Sequence, residues 1–375
     1  MYLKKLSLVN FKNYEQAQLQ FCPTVNCITG NNGEGKTNIL DAIHYLSVCK
    51  SYFNPADTQN IKHDQQLFVI QGEFSLNEHD NTEIYCAQKK GQKKIFRKNK
   101  KDYEKLADHI GLIPLIMISP SDTDLITDGS EIRRKFIDSI ISQYNKLYLD
   151  KLIEYNKTLV QRNMLLKQFA EKQYFNKDLL EVYDEQLSSA GQFIYAQRVE
   201  FINSFTGLFA KYYAYISNSK EQVNIEYKSD LYNHNMNDLL SQSLSRDRAT
   251  QYTQAGIHKD DLLFTMNGSA IKKFGSQGQQ KSFLIALKLA QYFYIKSKKN
   301  VLPILLLDDI FDKLDDLRVD KLMQLVTQND FGQVFITDTS YHRLSSILNK
   351  TQINYKHFLV SNGIINETQY QYTNA

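Results

Sequence analysis

An α/β fold built around a phosphate-binding loop and interrupted by a helical insertion is what this 375-residue chain predicts. Gly30-Asn31-Asn32-Gly33-Glu34-Gly35-Lys36-Thr37 is a full G-x-x-x-x-G-K-[ST] loop. From Ser130 to about Gln222 the chain turns helical, with few glycines and no proline. After Asp261 strand-like runs return, and the apolar run 303–307 ends in Asp308-Asp309.

Each element has a local reason. Leu3, Leu6 and Leu8 open a first strand, and Val25-Asn26-Cys27-Ile28-Thr29 feeds the loop. Residues 38–46 carry apolar side chains at helical spacing, so the loop lies between a strand and a helix, as its chemistry requires. Strands are expected at 68–74, 83–87 and 112–118, giving residues 1–128 alternating strand-like and helix-like runs. Within the insertion, expected over 129–255, Leu147, Leu152, Tyr155, Leu159, Leu166 and Phe169 recur at roughly helical spacing. Their aromatics read as core rather than as base-stacking platforms. The last part, 256–375, contains a helix from Gln277 to about Lys296 and strands at 303–307 and 333–336. It ends in a hairpin turning at Asn362-Gly363.

Gly30, Gly33 and Gly35 let the backbone curl so that N–H groups face inward, and the helix N-terminus adds positive potential. Asn31, Asn32 and Glu34 complete that cradle. Lys36 is expected to reach the β- and γ-phosphates and Thr37 to ligate Mg²⁺. Asp308 is placed to hold Mg²⁺, and Asp309 to polarise the attacking water. Asp315, a few residues on, is expected to make a contact across a dimer seam.

Ser276-Gln277-Gly278-Gln279-Gln280-Lys281 starts the long helix. A lone serine here is a cap. Gly278 leaves the first turn open, however, and Gln277 and Gln279 add polar groups without negative charge, which makes a second phosphate-binding helix end. One nucleotide does not use both ends within one subunit. The arrangement expected is a homodimer in which each copy presents Ser276 to the nucleotide on the other's Lys36.

These residues resemble the RecF family, recombination mediators built on an ABC-type ATPase head. The resemblance includes Asn10-Phe11-Lys12-Asn13-Tyr14, Ile118-Ser119-Pro120-Ser121-Asp122, Arg133 to Asp138, Gln161-Arg162-Asn163 and Gly256 to Asp261. The Ser-Gln-Gly-Gln-Gln form and Asp308-Asp309 complete it. It implies a mixed-sheet lobe I with an inserted, mainly helical lobe II. It also implies ATP-dependent dimerisation on single-stranded or gapped DNA, slow regulatory hydrolysis, work with RecO and RecR in loading RecA, and SOS induction. Lys12, Lys135, Lys259 and Lys281 stand where such proteins usually have arginine, which loses the bidentate fork. No histidine stands after the 333–336 strand, and the switch position of such a head falls at Thr337.

Net charge is only +4, so nucleic-acid binding has to come from local patches. The densest runs through Lys89, Lys90, Lys93, Lys94, Arg97, Lys98, Lys100 and Lys101, a hairpin turning at Gly91-Gln92. It is either a solvated face or a DNA-backbone contact; about four to six phosphates would give a log–log salt slope near −4 to −5. Asn99-Lys100-Lys101-Asp102 matches the guanine-reading motif of GTPases, but Arg97-Lys98 precede it where that motif needs a buried strand, so adenine stays preferred. Cys22, Cys27, Cys49 and Cys86 lack metal-ligand spacing, and no stretch spans a membrane; a cytoplasmic protein is expected. Two other readings compete: a non-catalytic ATP-binding scaffold or other SMC-like head docking a protein, and an ATP-gated nuclease, which would need a carboxylate cluster that the sequence does not supply.

Overall fold

The first 20 residues pair as a β-hairpin turning at Lys12-Asn13, from Phe11–Tyr14 back to Lys5–Gln20, and the rest of the N-terminal sheet extends it. The computed structural model describes residues 1–77, 80–218, 221–311, 316–326, 330–351 and 353–370. It divides into two units, Met1–Asp122 with Lys281–Ala375, and Thr123–Gln280.

The first unit contains, in chain order, β1 (Tyr2–Phe11), β2 (Tyr14–Gln20), β3 (Val25–Thr29), helix α1 (Lys36–Val48), β4 (Leu67–Asn77), β5 (Asp80–Lys89), β6 (Ile95–Lys98), β7 (Lys101–Asp102) and β8 (Leu115–Ile118). Instead of the expected alternation of strands and helices, β2-β1-β4-β5-β6-β7 form one antiparallel sheet. Strands β4 to β7 follow one another in the sheet as they do in the chain, whereas the neighbours β1 and β4 are separated in sequence by β2, β3 and α1. The strand expected at 112–118 starts only at Leu115, after Pro114, which has no N–H for the ladder.

The second unit contains α2 (Asp124–Thr127), α3 (Ser130–Tyr144), α4 (Lys146–Glu171), α5 (Lys177–Ser217), β9 (Val223–Lys228), α6 (Met236–Thr250), β10 (Asp261–Met266), β11 (Ser269–Ala270) and α7 (Ile271–Phe274). Helix α8 (Gln277–Lys299) begins in it. Residues 256–280, read from the sequence as part of the ATPase lobe, belong here because β10 pairs with β9 along its whole length.

Returning to the first unit, β12 (Ile304–Leu307), α9 (Asp316–Val326), β13 (Val334–Asp338), α10 (Tyr341–Thr351), β14 (Tyr355–Ser361) and β15 (Ile364–Tyr370) complete the chain. The second large sheet runs β15-β14-β3-β13-β12-β8, parallel except for β15. Strands β3, β12 and β13 are buried at every position, which explains the unbroken apolar sequence of β12 and the apolar starts of β13 and, apart from Asn26, of β3. Both sheets and α1 share one core, in which Leu6, Ile39, Phe74, Leu306 and Phe358 are fully buried. The parallel sheet directs the C-terminal ends of β3, β12 and β13 toward one edge, the place where α/β sheets hold ligands.

Two sequence turn signals hold. Asn362 and Gly363 have φ of 50° and 74° and join the pair Ser361 and Ile364. Asn99 and Lys100, at φ 49° and 66°, join Lys98 to Lys101 the same way, and Asn99 Oδ1 accepts from the Glu83 amide at 2.8 Å. The guanine-reading match is thus a two-residue hairpin turn.

The helical unit buries charge. On α4 the buried stripe runs Tyr148, Tyr155, Thr158, Arg162, Leu165 and Leu166, while Leu147 is exposed. Arg162 donates to Asp184 at 2.5 Å and Asp247 at 2.7 Å. On α5, Arg198 donates to both oxygens of Asp138, to Asp260 at 3.1 Å and to the Ile257 carbonyl at 2.9 Å. Replacing Arg198 leaves buried Asp260 and half-buried Asp138 without their cation, so R198A is expected to lose about 3–5 kcal/mol, read as a lower urea midpoint. An unchanged midpoint would contradict the clasp.

Burial also holds His109 and His258 neutral, each pushed from the ordinary imidazole value of 6.5 down to about 4. His109 Nε2 donates to the Leu46 carbonyl at 2.6 Å, near the end of α1. His258 Nδ1 accepts from Tyr155, and its Nε2 donates to the Thr253 carbonyl at 3.0 Å. Lowered folded values give stability that is complete above pH 6.5 and is lost as the pH falls toward 4, by at most about 3 kcal/mol per histidine. Urea unfolding at pH 7 and pH 5 measures it, and H109Q is expected to flatten the profile.

Candidate nucleotide site and basic hairpin

Strand β3 ends at Thr29, and the chain then curls into the start of α1. Gly30 has φ 152°, and a Cβ there would lie 2.2 Å from the Val360 carbonyl oxygen. Gly35 has φ 114°, and its Cβ would meet Asn13 Nδ2 at 2.3 Å. Only glycine fits either position. The β1–β2 turn grips the loop: Asn13 Nδ2 donates to Glu34 O at 2.8 Å and Tyr14 to Gly35 O at 3.1 Å. The Glu34 carboxylate accepts from the Asn362 amide in the C-terminal hairpin. Asn31, Asn32 and Gly33 remain exposed. Lys36, 4 % exposed, donates to Gly30 O at 2.9 Å and Asn31 O at 3.1 Å, so its ammonium lies over the loop.

Asp308, at the end of β12, is buried. Its Oδ1 accepts from Thr37 and from Thr337, both at 2.9 Å, and its Oδ2 accepts from Ser119 at 3.4 Å. Burial raises its pKa; the Thr37 and Thr337 hydroxyls oppose that, and neighbouring Asp309 adds to it. Asp309 has φ 44°, its amide donates to Thr337 Oγ1 at 2.9 Å, and a carboxylate oxygen lies 4.0 Å from Lys36 Nζ. The structure therefore brings Lys36, Thr37, Asp308, Asp309 and Thr337 together. It adds Ser119, the residue after β8 and part of the Ile118 to Asp122 motif, whose role shows only in its contact with Asp308. A buried carboxylate beside threonine and serine hydroxyls is a hard-oxygen set suited to Mg²⁺, which takes few protein ligands and completes its shell with water and phosphate.

Ser276 belongs to the second unit and is exposed together with Gln277. Its Oγ accepts from the Gln279 amide at 3.3 Å, while Gln279 Oε1 accepts from the Ser276 amide at 2.8 Å. This is a reciprocal capping box, with glutamine at the third helical position. The capping role weighed for Ser276 is present. Gly278 follows Gln277 in the same first turn. Asp315, expected at a dimer seam, lies outside the described residues.

The basic run is a hairpin, with β5 and β6 paired from Ile84–Lys98 to Ala87–Ile95. Lys89, Lys90, Lys93, Lys100 and Lys101 are exposed and Lys98 half-buried. Arg97 lies over Tyr85 and donates to Asp102 at 2.7 Å. Lys94 corrects the sequence reading. It turns inward, donating to Cys49 O at 2.6 Å, Asp57 at 2.8 Å and Tyr45 at 3.1 Å. Spacing along a loop does not show which lysine finds a carboxylate. Lys12 behaves likewise, at 2.6 Å from buried Asp41. K94A is expected to cost about 1–3 kcal/mol by unpairing Asp57 and the Cys49 carbonyl. K93A, in solvent, is expected to leave the melting temperature unchanged, and equal melting of the two variants would contradict this placement.

Among the described residues no helix is long and apolar enough to cross a membrane, and no group of three or more His, Cys, Asp or Glu could hold a metal. Cys22, Cys27, Cys49 and Cys86 are free thiols.

The family model "RecF/RecN/SMC N terminal domain" matches residues 2–366. The chain is 50 % identical over 368 residues to the DNA replication and repair protein RecF of Phocaeicola vulgatus, covering 98 % of each chain. It is 52 % identical over 359 residues to that of Flavobacterium johnsoniae, covering 96 % of this chain and 99 % of the relative. A solved structure of the recombination mediator protein RecF with ATP, in the RecFOR pathway, is 30 % identical, with a TM-score of 0.89 and coverage of 98 % and 97 %. With the Gly30 to Thr37 loop, the Asp308 cluster and the ABC-type head around them, these matches make the chain a member of the RecF family.

Proposed function

We propose that this chain is a DNA-binding ATPase of replication and repair that closes as a dimer on ATP and Mg²⁺. The observation that carries this reading is the Asp308 carboxylate, held at once by Thr37 and Thr337, with Lys36 4.0 Å from Asp309. Amides of residues 30–37 would cradle the phosphates, and Lys36 would leave the loop carbonyls for the β- and γ-oxygens. Thr37 and Asp308 are the residues suited to hold Mg²⁺, whose chemistry here is to neutralise charge on the β- and γ-oxygens. Asp309 would orient the water that attacks the γ-phosphorus and take up its proton as the bond to the leaving ADP breaks. Thr337, bonded to Asp308 and to the Asp309 amide, would keep the two carboxylates in register.

The completing half would come from a second copy, whose Ser276, Gln277, Gly278 and Gln279 meet the γ-phosphate, with Asp315 across the seam. Slow hydrolysis would then reset a clamp. Exposed Lys89, Lys90, Lys93, Lys100 and Lys101, with Lys98 and Arg97, offer the backbone of single-stranded or gapped DNA a basic edge. The similar ATP-bound structure is described in the RecFOR pathway, which supports a role in that pathway. Work with RecO and RecR in loading RecA, SOS induction and a cytoplasmic setting are what the family resemblance implies.

Sedimentation with ATP, with and without DNA, tests the dimer, and a chain monomeric in both would refute it. K36A is expected to lose nucleotide binding. S276A is expected to bind ATP and stay monomeric, and D309N to accumulate as a dimer. A D309N variant indistinguishable from the wild type would favour an inert scaffold instead. Charge removal at Lys89 or Lys90 should reduce the salt slope of DNA binding by about one per lost phosphate contact.

A further inference from the structure

Ser276 and Gln279 cap each other, but a glutamine amide can face either way. Two neighbours fix it. The Ser276 amide can only donate, so it needs Gln279 Oε1, at 2.8 Å. On the other side Gln279 Nε2 donates to Glu221 Oε1 at 3.1 Å, and a carboxylate can only accept. Glu221 in turn is held. Its Oε2 accepts from the hydroxyl of Tyr213, a buried residue of α5, at 3.3 Å. The adjacent Gln222 is bonded twice to Asn267 in the β10–β11 turn: its amide donates to Asn267 Oδ1 at 2.9 Å, and its carbonyl accepts from the Asn267 amide at 2.8 Å. All of these residues lie in the second unit.

We propose that Glu221 is a positioning residue for the Ser276 half-site, coupling the end of the long helix α5 to the tip of α8. This rests on the dimer reading above. With Gln279 oriented by Glu221, the Gln279 main-chain amide donates to Ser276 Oγ at 3.3 Å. That hydroxyl thereby accepts from its own helix and keeps its hydrogen to donate outward, to an anionic oxygen on a second copy. Without Glu221 the Gln279 amide gains a free rotation, and the cap and the hydroxyl direction loosen together. Glu221 does not touch nucleotide in this arrangement; it acts through Gln279 and Ser276. The chain Tyr213–Glu221–Gln279–Ser276 also gives the helical insertion a direct mechanical line to the half-site, with no need for a moving domain.

The experiment uses the full chain with the slowly hydrolysed analogue ATPγS and Mg²⁺. It reads nucleotide affinity by fluorescence, dimerisation by sedimentation, and melting temperature for wild type, E221A and E221Q. E221A is expected to bind the analogue within about twofold of wild type but to dimerise roughly ten- to a hundredfold more weakly, since one charge-assisted hydrogen bond is lost in each half of a two-fold dimer. E221Q keeps an acceptor for Gln279 Nε2 and is expected to restore dimerisation. E221A dimerising like the wild type overturns the inference. So does a loss shared equally by E221A and E221Q, or an E221A that has also lost nucleotide binding, which would mark a general folding defect. A wild-type chain that stays monomeric sinks the dimer reading itself, and this inference with it.

Discussion

One buried carboxylate organises the nucleotide end of this protein. Asp308 collects hydroxyls from the start of α1, from β13 and from the end of β8, so three neighbouring strand ends and the phosphate loop are tied to a single charge. A buried ionised group is tolerable only when its lone pairs are met, and that requirement fixes the relative height of these strands. The Thr37 hydroxyl on Asp308 places the loop beside the acidic pair before any ligand is considered. Glycines at Gly30 and Gly35 then let the β1–β2 turn and the C-terminal hairpin close around the loop.

The helical unit uses the same rule with the signs reversed. Arg162 and Arg198 sit on the inner faces of α4 and α5, where apolar residues would ordinarily stand, and each collects carboxylates from distant segments. Arg198 joins α3, α5 and the 257–260 segment that leads into β10. The motif residues around Arg133, Arg162 and His258 to Asp261 therefore hold the fold, with Arg133 bonded to Asp261 at 2.7 Å. From β10 the chain passes through β11 and α7 directly to Ser276, so this clasp stands immediately upstream of the half-site.

What the sequence made legible was local. The phosphate loop, the Asp308-Asp309 strand end, the Asn362-Gly363 turn and the helical insertion each announce themselves within a dozen residues, because their chemistry or periodicity is confined to one element. What it hid depends on partners far along the chain. Nothing near Lys94 shows that Asp57 waits for it, and nothing near Arg162 shows that it points inward beside Tyr155. The placement of 256–280 with the helical unit follows from β9, a strand not foreseen, and the link from Glu221 to Gln279 spans a separation that no motif encodes. Ser119 was in view as part of a motif, but its role emerges only from the register of β8 on β12.

The most direct measurement is a structure of the D309N variant trapped with ATP and Mg²⁺. The account predicts two copies related by a two-fold axis, each triphosphate lying between Lys36 of one and Ser276 of the other. A nucleotide wholly enclosed by residues of one polypeptide, with Ser276 facing solvent, would contradict it.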